Sequence, residues 1–401
     1  MKSNGPLDGI LIADFTQLAQ GPFATMILGD MGAEIVKIEP PGGDWMRNFA
    51  LSGLYAGGET VSYLSFNRNK RSIGVDLKSE EGLKLIMKLC DQADVVIENF
   101  RPGVMKRLGI DYDSLKKTNP DIILVSSSGY GSSGPYVTRP GQDLLAQAVT
   151  GFPTVIGRKE DPPTPGVTSI ADLTTGLHIV YATLAALISR INTGHGQSVE
   201  VNLINSILVT QTDQYTAFLQ NGIQPDRSSE GIANPWGGAP YGIYKCSDGW
   251  IAIAMNPLSD IGEVLGIEQF KNLESRNEVI KRDEFKLIIE AKTQNWKVED
   301  LLQKMLEKDL WCAPVLDYAA VVKDPQILHN EMIISIPHPT AGSLKTLGIP
   351  VKFNGTPSKI RKHPPLFSEH AEELATEYFG LNSDQFQDFI KKGIISKPKK
   401  I

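Results

Sequence analysis

The sequence ILIADFTQLAQGPFATMILGDMGAEIVKIE, residues 10–39, contains one complete strand–helix–strand pattern. The apolar runs at residues 10–15 and 34–39 predict two strands, and the helical spacing of apolar side chains over residues 23–32 predicts a helix between them. Strands that alternate with helices are typical of a parallel sheet covered by helices. This stretch therefore predicts an α/β fold.

The same alternation continues through the next 90 residues. A helix is predicted over residues 80–93, with Ser79 as its N-cap, and further strands are predicted over residues 95–100 and 122–127. Ligands of parallel sheets bind beyond the carboxyl ends of the strands, in the loops that follow them. We therefore expect the functional residues in the three loops at residues 17–22, 99–103 and 129–143.

The chain changes character after residue 170. Residues 172–191 predict a long apolar helix, and residues 197–203 predict another strand. Residues 220–238 are rich in Gly, Ser, Pro and Asn, which indicates a linker or loop. The remaining pattern predicts a hairpin, two amphipathic helices and a helical tail, at residues 241–255, 282–292, 298–308 and 374–395.

Composition excludes several functional classes. The chain has 401 residues and a formal net charge of −6, which predicts two or three domains and no nucleic-acid partner. The first eight residues lack the apolar core of a signal peptide, and the longest apolar run, residues 179–188, is too short to span a bilayer. The three cysteines form no CxxC pair. We therefore expect a cytoplasmic protein without a membrane partner.

The common enzyme signatures are absent from the sequence. There is no GxGxxG after the first strand, no GxxxxGK[ST] and no GxSxG. The six histidines show no metal-ligand spacing with acidic or cysteine residues, so we expect no metal site. The chemistry must therefore depend on a less familiar arrangement of residues.

Asp172 stands at the start of the long apolar helix and allows two interpretations. As an N-cap, its carboxylate would accept hydrogen bonds from the first helical amides. As a nucleophile, it would stay ionised beside the helix N-terminus, whose amides could also stabilise a developing oxyanion. The spacing of residues does not choose between the two.

Two other features are equally open. The basic residues Lys70, Arg71, Lys78 and Arg107 form either an ordinary solvated surface or a site for phosphate groups, for which Arg and Lys are usual partners. The turn around Gln20 either starts a helix, with proline in its first turn, or presents its amides to a ligand.

Several motifs follow one another along the chain: GPFAT at 21–25, ENFRPG at 98–103, SSGPY at 132–136, GQD at 141–143, ADLTTG at 171–176 and PPLFSEH at 364–370. In this order they resemble the class III (family III) coenzyme A transferases, which include formyl-CoA:oxalate CoA-transferase, carnitine CoA-transferase and the α-methylacyl-CoA racemases. The resemblance extends from about residue 6 to about residue 372. It therefore covers nearly the whole chain.

The resemblance implies roles for individual residues. Asp172 matches the nucleophilic aspartate of the transferases, Gln20 matches a residue beside the reacting carbonyl, and Asp143 matches a family acid near the thioester. These three are the implied catalytic residues. Residues that match segments around coenzyme A and its thioester are Ala19, Asp76, Lys78, Asn99, Phe100, Arg101, Arg107, Gly141, Gln142, Gly237 and Gly238.

The resemblance also implies an architecture. A Rossmann-like large domain with a parallel sheet is joined to a smaller α+β domain, and two copies form an interlocked homodimer. Residues 1–220 would form the N-terminal part of the large, CoA-binding domain, residues 221–325 the linker and small domain, and residues 326–401 a segment that returns to the large domain.

The implied reaction moves coenzyme A from a donor acyl-CoA to an acceptor carboxylic acid. It would proceed through an aspartyl mixed anhydride and an aspartyl-CoA thioester at Asp172. Coenzyme A thioesters would be the substrates, with no cofactor. Two alternatives stay open: a 2-methylacyl-CoA racemase, although Gln142 stands where racemases have a histidine, and a CoA-binding paralogue without catalysis.

Overall fold

The computed structural model describes residues 5–50, 53–271, 273 and 277–399. Contacts divide the chain into two compact units. The first unit contains Met1–Ala146, Ser169–Ile207 and Pro325–Ile401, and the second contains Gln147–Thr168 and Leu208–Asp324. The predicted boundary at residue 220 therefore differs from this division, in which the second unit also contains residues 147–168 and 208–220.

Hydrogen bonds give the reason for this difference. The Gln211 side-chain amide and the Tyr215 hydroxyl both donate to the Thr150 carbonyl, at 3.1 and 2.9 Å. The Gln147 side-chain amide donates to the Gly166 carbonyl and accepts from the Gly166 amide, at 3.1 and 2.8 Å. The bonds to Thr150 join residues 61 and 65 positions apart, and those between Gln147 and Gly166 join residues 19 positions apart, which local patterns do not reveal.

The described residues form thirteen strands and eighteen α-helices. The strands are β1 Leu11–Asp14, β2 Glu34–Glu39, β3 Tyr55–Ala56, β4 Glu59–Thr60, β5 Lys70–Gly74, β6 Val95–Glu98, β7 Ile123–Ser128, β8 Ser198–Asn202, β9 Gly242–Lys245, β10 Trp250–Ile253, β11 Cys312–Pro314, β12 Ile333–His338 and β13 Gly342–Leu347. The helices are α1 Gln20–Asp30, α2 Trp45–Asn48, α3 Val61–Phe66, α4 Glu80–Cys90, α5 Val104–Leu108, α6 Tyr112–Leu115, α7 Asp143–Val149, α8 Ile170–Thr193, α9 Leu203–Val209, α10 Thr212–Asn221, α11 Leu258–Leu265, α12 Asn277–Ile280, α13 Arg282–Thr293, α14 Val298–Leu306, α15 Tyr318–Val321, α16 Pro325–His329, α17 Ala371–Glu377 and α18 Ser383–Lys391.

Six strands of the first unit form a parallel sheet in the order β5-β2-β1-β6-β7-β8. In β1, Ile12 pairs with Ile35 of β2 on one side and with Val95 of β6 on the other. This sheet confirms the α/β fold predicted from residues 10–39. The sequence patterns do not predict the edge strand β5. Its sequence KRSIG begins with two basic residues, which the sequence analysis assigns to a solvated surface or a phosphate site.

Both faces of the sheet are covered, as expected for parallel strands. Ile12 belongs to a buried cluster with Leu28 of α1 and Ile179 of α8. The next residue, Ala13, points to the other face and belongs to a cluster with Ile86 of α4 and Leu374 of α17. Two-sided burial explains why the central strands β1 and β6 are mostly apolar and do not alternate with polar residues.

Helices α1 and α8 lie side by side on one face of the sheet. At Gly176 of α8, a Cβ atom would come within 2.8 Å of the Gln20 carbonyl oxygen at the start of α1, so only glycine permits this approach. Because α1 follows β1 and α8 precedes the parallel strand β8, both helices begin at the carboxyl edge of the sheet.

Helix α8 is long and apolar enough to cross a membrane, judged by length and composition alone. The expectation that no segment could span a bilayer rested on residues 179–188 and does not hold for the full helix. In the structure, 44% of the most apolar stretch of this helix is buried, and residues such as Ile179 and Leu187 pack on the sheet. Helices in the core of a soluble protein can be equally long and apolar.

The second unit contains a three-stranded antiparallel sheet in the order β11-β10-β9. Its β9–β10 pair, with Tyr244 opposite Ile251, confirms the predicted hairpin. Both residues are buried in one cluster with Phe285 and Ile289 of α13.

The predicted single tail helix over residues 374–395 is wrong. Helix α17 ends at Glu377, and α18 begins at Ser383 with Asn382 as its N-cap. Between them Gly380 has a φ of +67°, a left-handed conformation that ends helices and that glycine adopts without strain.

Candidate active site

The start of α1 brings the first predicted site residue to the carboxyl edge of the sheet. Gln20 is the first residue of α1, and Ala19 is its N-cap; both are buried. The Gln20 side-chain oxygen accepts a hydrogen bond of 2.7 Å from the Ser127 hydroxyl at the end of β7. Within the described ranges, no acceptor is bonded to the Gln20 side-chain nitrogen, which leaves a donor free for a ligand.

The start of α8 corrects one interpretation of Asp172. Ser169 is the N-cap, and Asp172 is the third residue of the helix, so Asp172 does not cap it. The cap comes from Asp143, the first residue of α7, whose Oδ1 accepts from the Ala171 and Asp172 amides at 2.7 and 3.0 Å. Because the first amides of a helix have no partner within it, a carboxylate from another helix satisfies two of them here.

The Asp172 carboxyl group itself is free of donors. No hydrogen bond from any described residue reaches it, and burial together with the negative charge of Asp143 raises the pKa of Asp172 to about 7. Strongly perturbed carboxyls of this kind cluster at functional sites. Asp172 is therefore a candidate functional carboxyl on this edge of the sheet.

Gly176 provides an indirect link between Asp172 and Gln20. Asp172 lies four residues before Gly176, on the same face of α8 and about one turn, ~5.4 Å, along the axis. Gly176 in turn touches the Gln20 backbone. The two ends of the loop between β7 and α7 lie against each other, since a Cβ at Gly141 would come within 2.3 Å of the Gly129 Cα.

A cavity of about 420 Å³ lies beyond the ends of β6 and β7. Phe100 and Arg101 line it together with Glu98, Lys106 and Ser127, the residue that donates to Gln20. Glu98 accepts a hydrogen bond of 2.7 Å from the Phe100 amide, and burial raises the pKa of Glu98 to about 7. The cavity therefore combines an aromatic ring, two cationic side chains, hydroxyl donors and the carboxyls of Glu98, Asp111, Asp113 and Glu200, and Ser127 connects it to Gln20.

Other predicted residues lie elsewhere. Asp76 and Lys78 follow the edge strand β5, three strand spacings or about 14 Å from β6, and neither lines the cavity. Arg107 is exposed on α5 and is likewise not part of the cavity lining. Asn99 makes two hydrogen bonds of 2.8 Å with the Gln17 backbone. Gln142 accepts from the Leu144 amide at the start of α7.

Gly237 and Gly238 belong to the second unit. They line a cavity of about 730 Å³ with Trp236, Tyr241 and Glu278. A Cβ at Gly238 would come within 2.6 Å of the Glu278 carbonyl oxygen, so glycine is required there by close backbone packing.

The basic set of the sequence analysis separates into two kinds of residue. Lys70 and Arg71 are buried in β5 and form ion pairs, Lys70 with Asp14 and Arg71 with Glu34, so neither interpretation of them holds. Lys78 and Arg107 are exposed. Sequence position could not separate them, because Asp14 and Glu34 lie far from Lys70 and Arg71 along the chain.

Two residues of the site carry weak signals in the sequence. Glu98 is an acidic residue that directly follows the apolar run VVI, which places it at the carboxyl end of a predicted strand. Ser127 is one of three consecutive serines at the start of SSSGYGSSGPY, residues 126–136, a motif of the family resemblance that implied no role for Ser127 itself. Among the described residues, no three His, Cys, Asp or Glu side chains are grouped as a metal site.

Replacing Asp143 tests its two effects on Asp172 separately. Asp143→Asn keeps an acceptor for both helix amides but removes the charge, so the pKa of Asp172 is expected to fall and the acid limb of the pH–activity profile to move to lower pH. Asp143→Ala also removes the cap, with an expected loss of about 1 kcal/mol in the free energy of unfolding. Equal stability of the two variants in urea denaturation would contradict the capping role.

The whole chain matches known proteins. Residues 7–371 match the model of CoA-transferase family III, so the chain belongs to this family. The succinyl-CoA:glutarate CoA-transferase of Homo sapiens is 31% identical over 99% of this chain and 91% of its own length. The formyl-CoA:oxalate CoA-transferase of Streptomyces coelicolor is 30% identical over 97% of this chain and 99% of its own. The crystal structure of a CAIB/BAIF family protein from Brucella suis has a TM-score of 0.83 and 32% identity, covering 94% of this chain and 100% of its own. The protein is therefore a CoA-transferase enzyme.

Proposed function

We propose that this enzyme transfers coenzyme A from a donor acyl-CoA to a small dicarboxylic acid through covalent intermediates on Asp172. The observation that carries the proposal is the Asp172 carboxyl, which has a raised pKa, receives no hydrogen bond from the described residues and lies in the first turn of α8. The names of the human and Streptomyces relatives, with glutarate and oxalate as acceptors, support a dicarboxylate.

The first half of the reaction forms an aspartyl thioester. An Asp172 oxygen forms a bond to the thioester carbonyl carbon, the carbon–sulfur bond breaks, and the electron pair leaves on the coenzyme A thiolate. The product is a mixed anhydride between Asp172 and the donor acid. The thiolate then attacks the aspartyl carbonyl, the anhydride carbon–oxygen bond breaks, and the donor acid leaves as a carboxylate.

The second half repeats these two steps in the opposite direction with the acceptor carboxylate. Each step exchanges one bond to a carbonyl carbon for another, so the energy of the thioester is kept and no proton, electron or cofactor is consumed. We propose that coenzyme A thioesters and carboxylic acids are therefore the only reactants.

The neighbouring groups have distinct tasks in this scheme. The free amide nitrogen of Gln20 would donate to the oxygen that becomes negative when the carbonyl is attacked. Asp143 holds the backbone at Ala171 and Asp172 and keeps the nucleophile's pKa high. The cavity with Phe100 and Arg101 is proposed to take part of the coenzyme A moiety, with its ring against an aromatic side chain and its phosphates near cations.

Donor and acceptor are tested together by a substrate screen. The enzyme is incubated with succinyl-CoA together with one acid at a time: glutarate, oxalate, acetate or a branched acid. The new acyl-CoA is then identified by mass. Transfer is expected to the dicarboxylates in preference to acetate. Transfer to the monocarboxylates alone would contradict the proposed substrate class.

Arg101 and Arg107 form a matched pair for the coenzyme A site. Arg101→Ala is expected to raise the KM for acyl-CoA about tenfold with a smaller change in kcat, since a charged contact to phosphate is present in ground and transition states alike. Arg107→Ala is the control outside the cavity and should change KM less. A larger KM effect at Arg107 than at Arg101 would contradict this placement of coenzyme A.

We also propose that the enzyme is a homodimer that covers an exposed face of α8. Leu177, Tyr181, Ile188 and Ile191 lie on one side of this helix, and Ile191 is 81% exposed. Contiguous apolar faces on a protein surface usually mark interaction sites. Sedimentation is expected to show a dimer that persists on dilution, and a folded monomer at low concentration would contradict this proposal.

A further inference from the structure

The turn between β1 and α1, residues 15–19, is held mainly by side chains from other parts of the first unit. The amides of Thr16, Gln17 and Leu18 donate to carboxylate or amide oxygens of Asp14, Asn99 and Asp44 at 2.9, 2.8 and 3.3 Å. Leu18 has a φ of +68°, which is strained for a residue with a branched side chain. Such a conformation persists only where surrounding contacts enforce it.

Two buried lysines hold this segment from both ends. Lys37 donates to the Thr16 carbonyl at 2.8 Å, and Lys70 donates to the Pro22 carbonyl at 3.0 Å. Between these two carbonyls lie Ala19 and Gln20. The turn also closes tightly, because a Cβ at Gly21 would come within 2.3 Å of the Thr16 Cβ.

Each lysine has its own buried counterion. Lys37 pairs with Asp44 at 2.8 Å and Lys70 with Asp14 at 3.3 Å, and all four side chains are fully buried. Taking four charges out of water carries a large desolvation penalty, so buried pairs of this kind are weak evidence for a role in stability. Asp14 also accepts from the Thr25 hydroxyl of α1 at 2.8 Å, so the second pair reaches the helix itself.

We propose that Lys37 and Lys70, with Asp44 and Asp14, are positioning residues for the transfer reaction, which hold the β1–α1 turn so that the Gln20 amide stays fixed beside the Asp172 face of α8. This inference rests on the proposed function, in which Gln20 stabilises the oxyanion. The lysines act on chemistry indirectly, through the two backbone carbonyls that they bind and through the aspartates with which they pair.

A third buried ion pair, at the far end of α1, provides a matched control. Arg68 and Asp30 form a buried pair at 2.7 Å, and Asp30 is the last residue of the helix, at the end opposite Gln20. Arg68 also donates to the Leu347 carbonyl at 2.6 Å and makes no hydrogen bond to the β1–α1 turn. Its removal disturbs the same unit without releasing the turn.

The test replaces both partners of the Lys70–Asp14 pair, and both partners of the control pair, so that no buried charge is left without its partner. The double variant Lys70→Met/Asp14→Asn is expected to lower kcat by about 10²-fold, the effect of a small misplacement of a catalytic group, with a much smaller change in the KM for acyl-CoA. The control Arg68→Met/Asp30→Asn is expected to keep kcat within about twofold, whatever its effect on stability.

A double-mutant cycle with Gln20→Ala separates positioning from general damage. If the pair acts through Gln20, adding Lys70→Met/Asp14→Asn to Gln20→Ala causes little further loss in kcat. Additive losses would overturn the inference. A kcat close to that of the wild type in the pair variant, when Gln20→Ala has a strongly reduced but measurable kcat and Asp172→Ala is inactive, would overturn it while the proposed function stands.

A readout that does not depend on activity covers the remaining outcomes. Amide hydrogen exchange over residues 16–25 is expected to be faster in the pair variant than in the control variant. Unchanged exchange would overturn the inference even if the proposed function had failed for another reason.

If the pair variant does not fold, Thr25→Val is tested in its place, because it removes only the hydroxyl that donates to Asp14. A several-fold loss in kcat that is not additive with the loss from Gln20→Ala is expected. No loss in kcat from Thr25→Val would then overturn it.

Discussion

Asp172→Ala is expected to abolish transfer, with a fall in kcat of at least about 10³-fold, while the fold and acyl-CoA binding are nearly unchanged. The reason is that covalent catalysis has no alternative route once its nucleophile is removed. The wild-type enzyme, incubated with donor acyl-CoA alone, should gain the mass of coenzyme A less one water on the peptide that carries Asp172. Treatment with hydroxylamine should convert that thioester to a hydroxamate at the same residue.

The same experiment distinguishes the alternatives of the sequence analysis. A racemase would exchange the α-proton of a 2-methylacyl-CoA with solvent deuterium in the absence of an acceptor acid. A paralogue without catalysis would bind coenzyme A and show neither adduct nor exchange. Transfer by a preparation in which no adduct forms at Asp172 would remove this residue from the proposed mechanism.

The free energy of unfolding is expected to fall as the pH rises from about 4 to about 7, through the titration of Asp172. Its pKa is raised from 3.8 to about 7 by burial and by Asp143, so the folded state binds this proton more tightly than the unfolded state does. The stabilising contribution of the protonated carboxyl is complete below the unfolded pKa and is lost as pH passes the folded pKa. This rise in the pKa of Asp172 corresponds to about 4 kcal/mol of unfolding free energy at most, since part of the group is in contact with solvent.

Asp172→Asn removes this titration with almost no change in shape. At pH 8 the variant is expected to be more stable than the wild type by about 2–4 kcal/mol, and the difference should disappear near pH 4. Urea denaturation at several pH values measures it, with mass spectrometry to exclude deamidation of the new asparagine. The kcat/KM of the wild type should fall tenfold per pH unit below pH 7, since only the ionised carboxylate attacks. A stability difference that is constant with pH would contradict the raised pKa.

Local patterns predicted much of the first unit correctly. Residues 34–39 form β2 as predicted, and α4 begins at Glu80 with the Ser79 hydroxyl accepting from the Gly82 amide at 3.0 Å. The hairpin of the second unit was also predicted correctly. These elements are determined by neighbours in the sequence: apolar runs, a capping residue and a turn. The order of short motifs likewise indicated the family, because each motif lies within a few residues.

The sequence by itself determined the α/β class, the family and Asp172 as a candidate nucleophile. Only the tertiary structure decided that Asp143 caps α8 in place of Asp172 and that Lys70 is a buried ion-pair partner of Asp14. In both cases the partners come from separate elements, 29 residues apart for Asp143 and Asp172 and further apart for Asp14 and Lys70. Burial, hydrogen bonding and charge pairing depend on which residues meet in space, and local sequence patterns contain no record of that meeting.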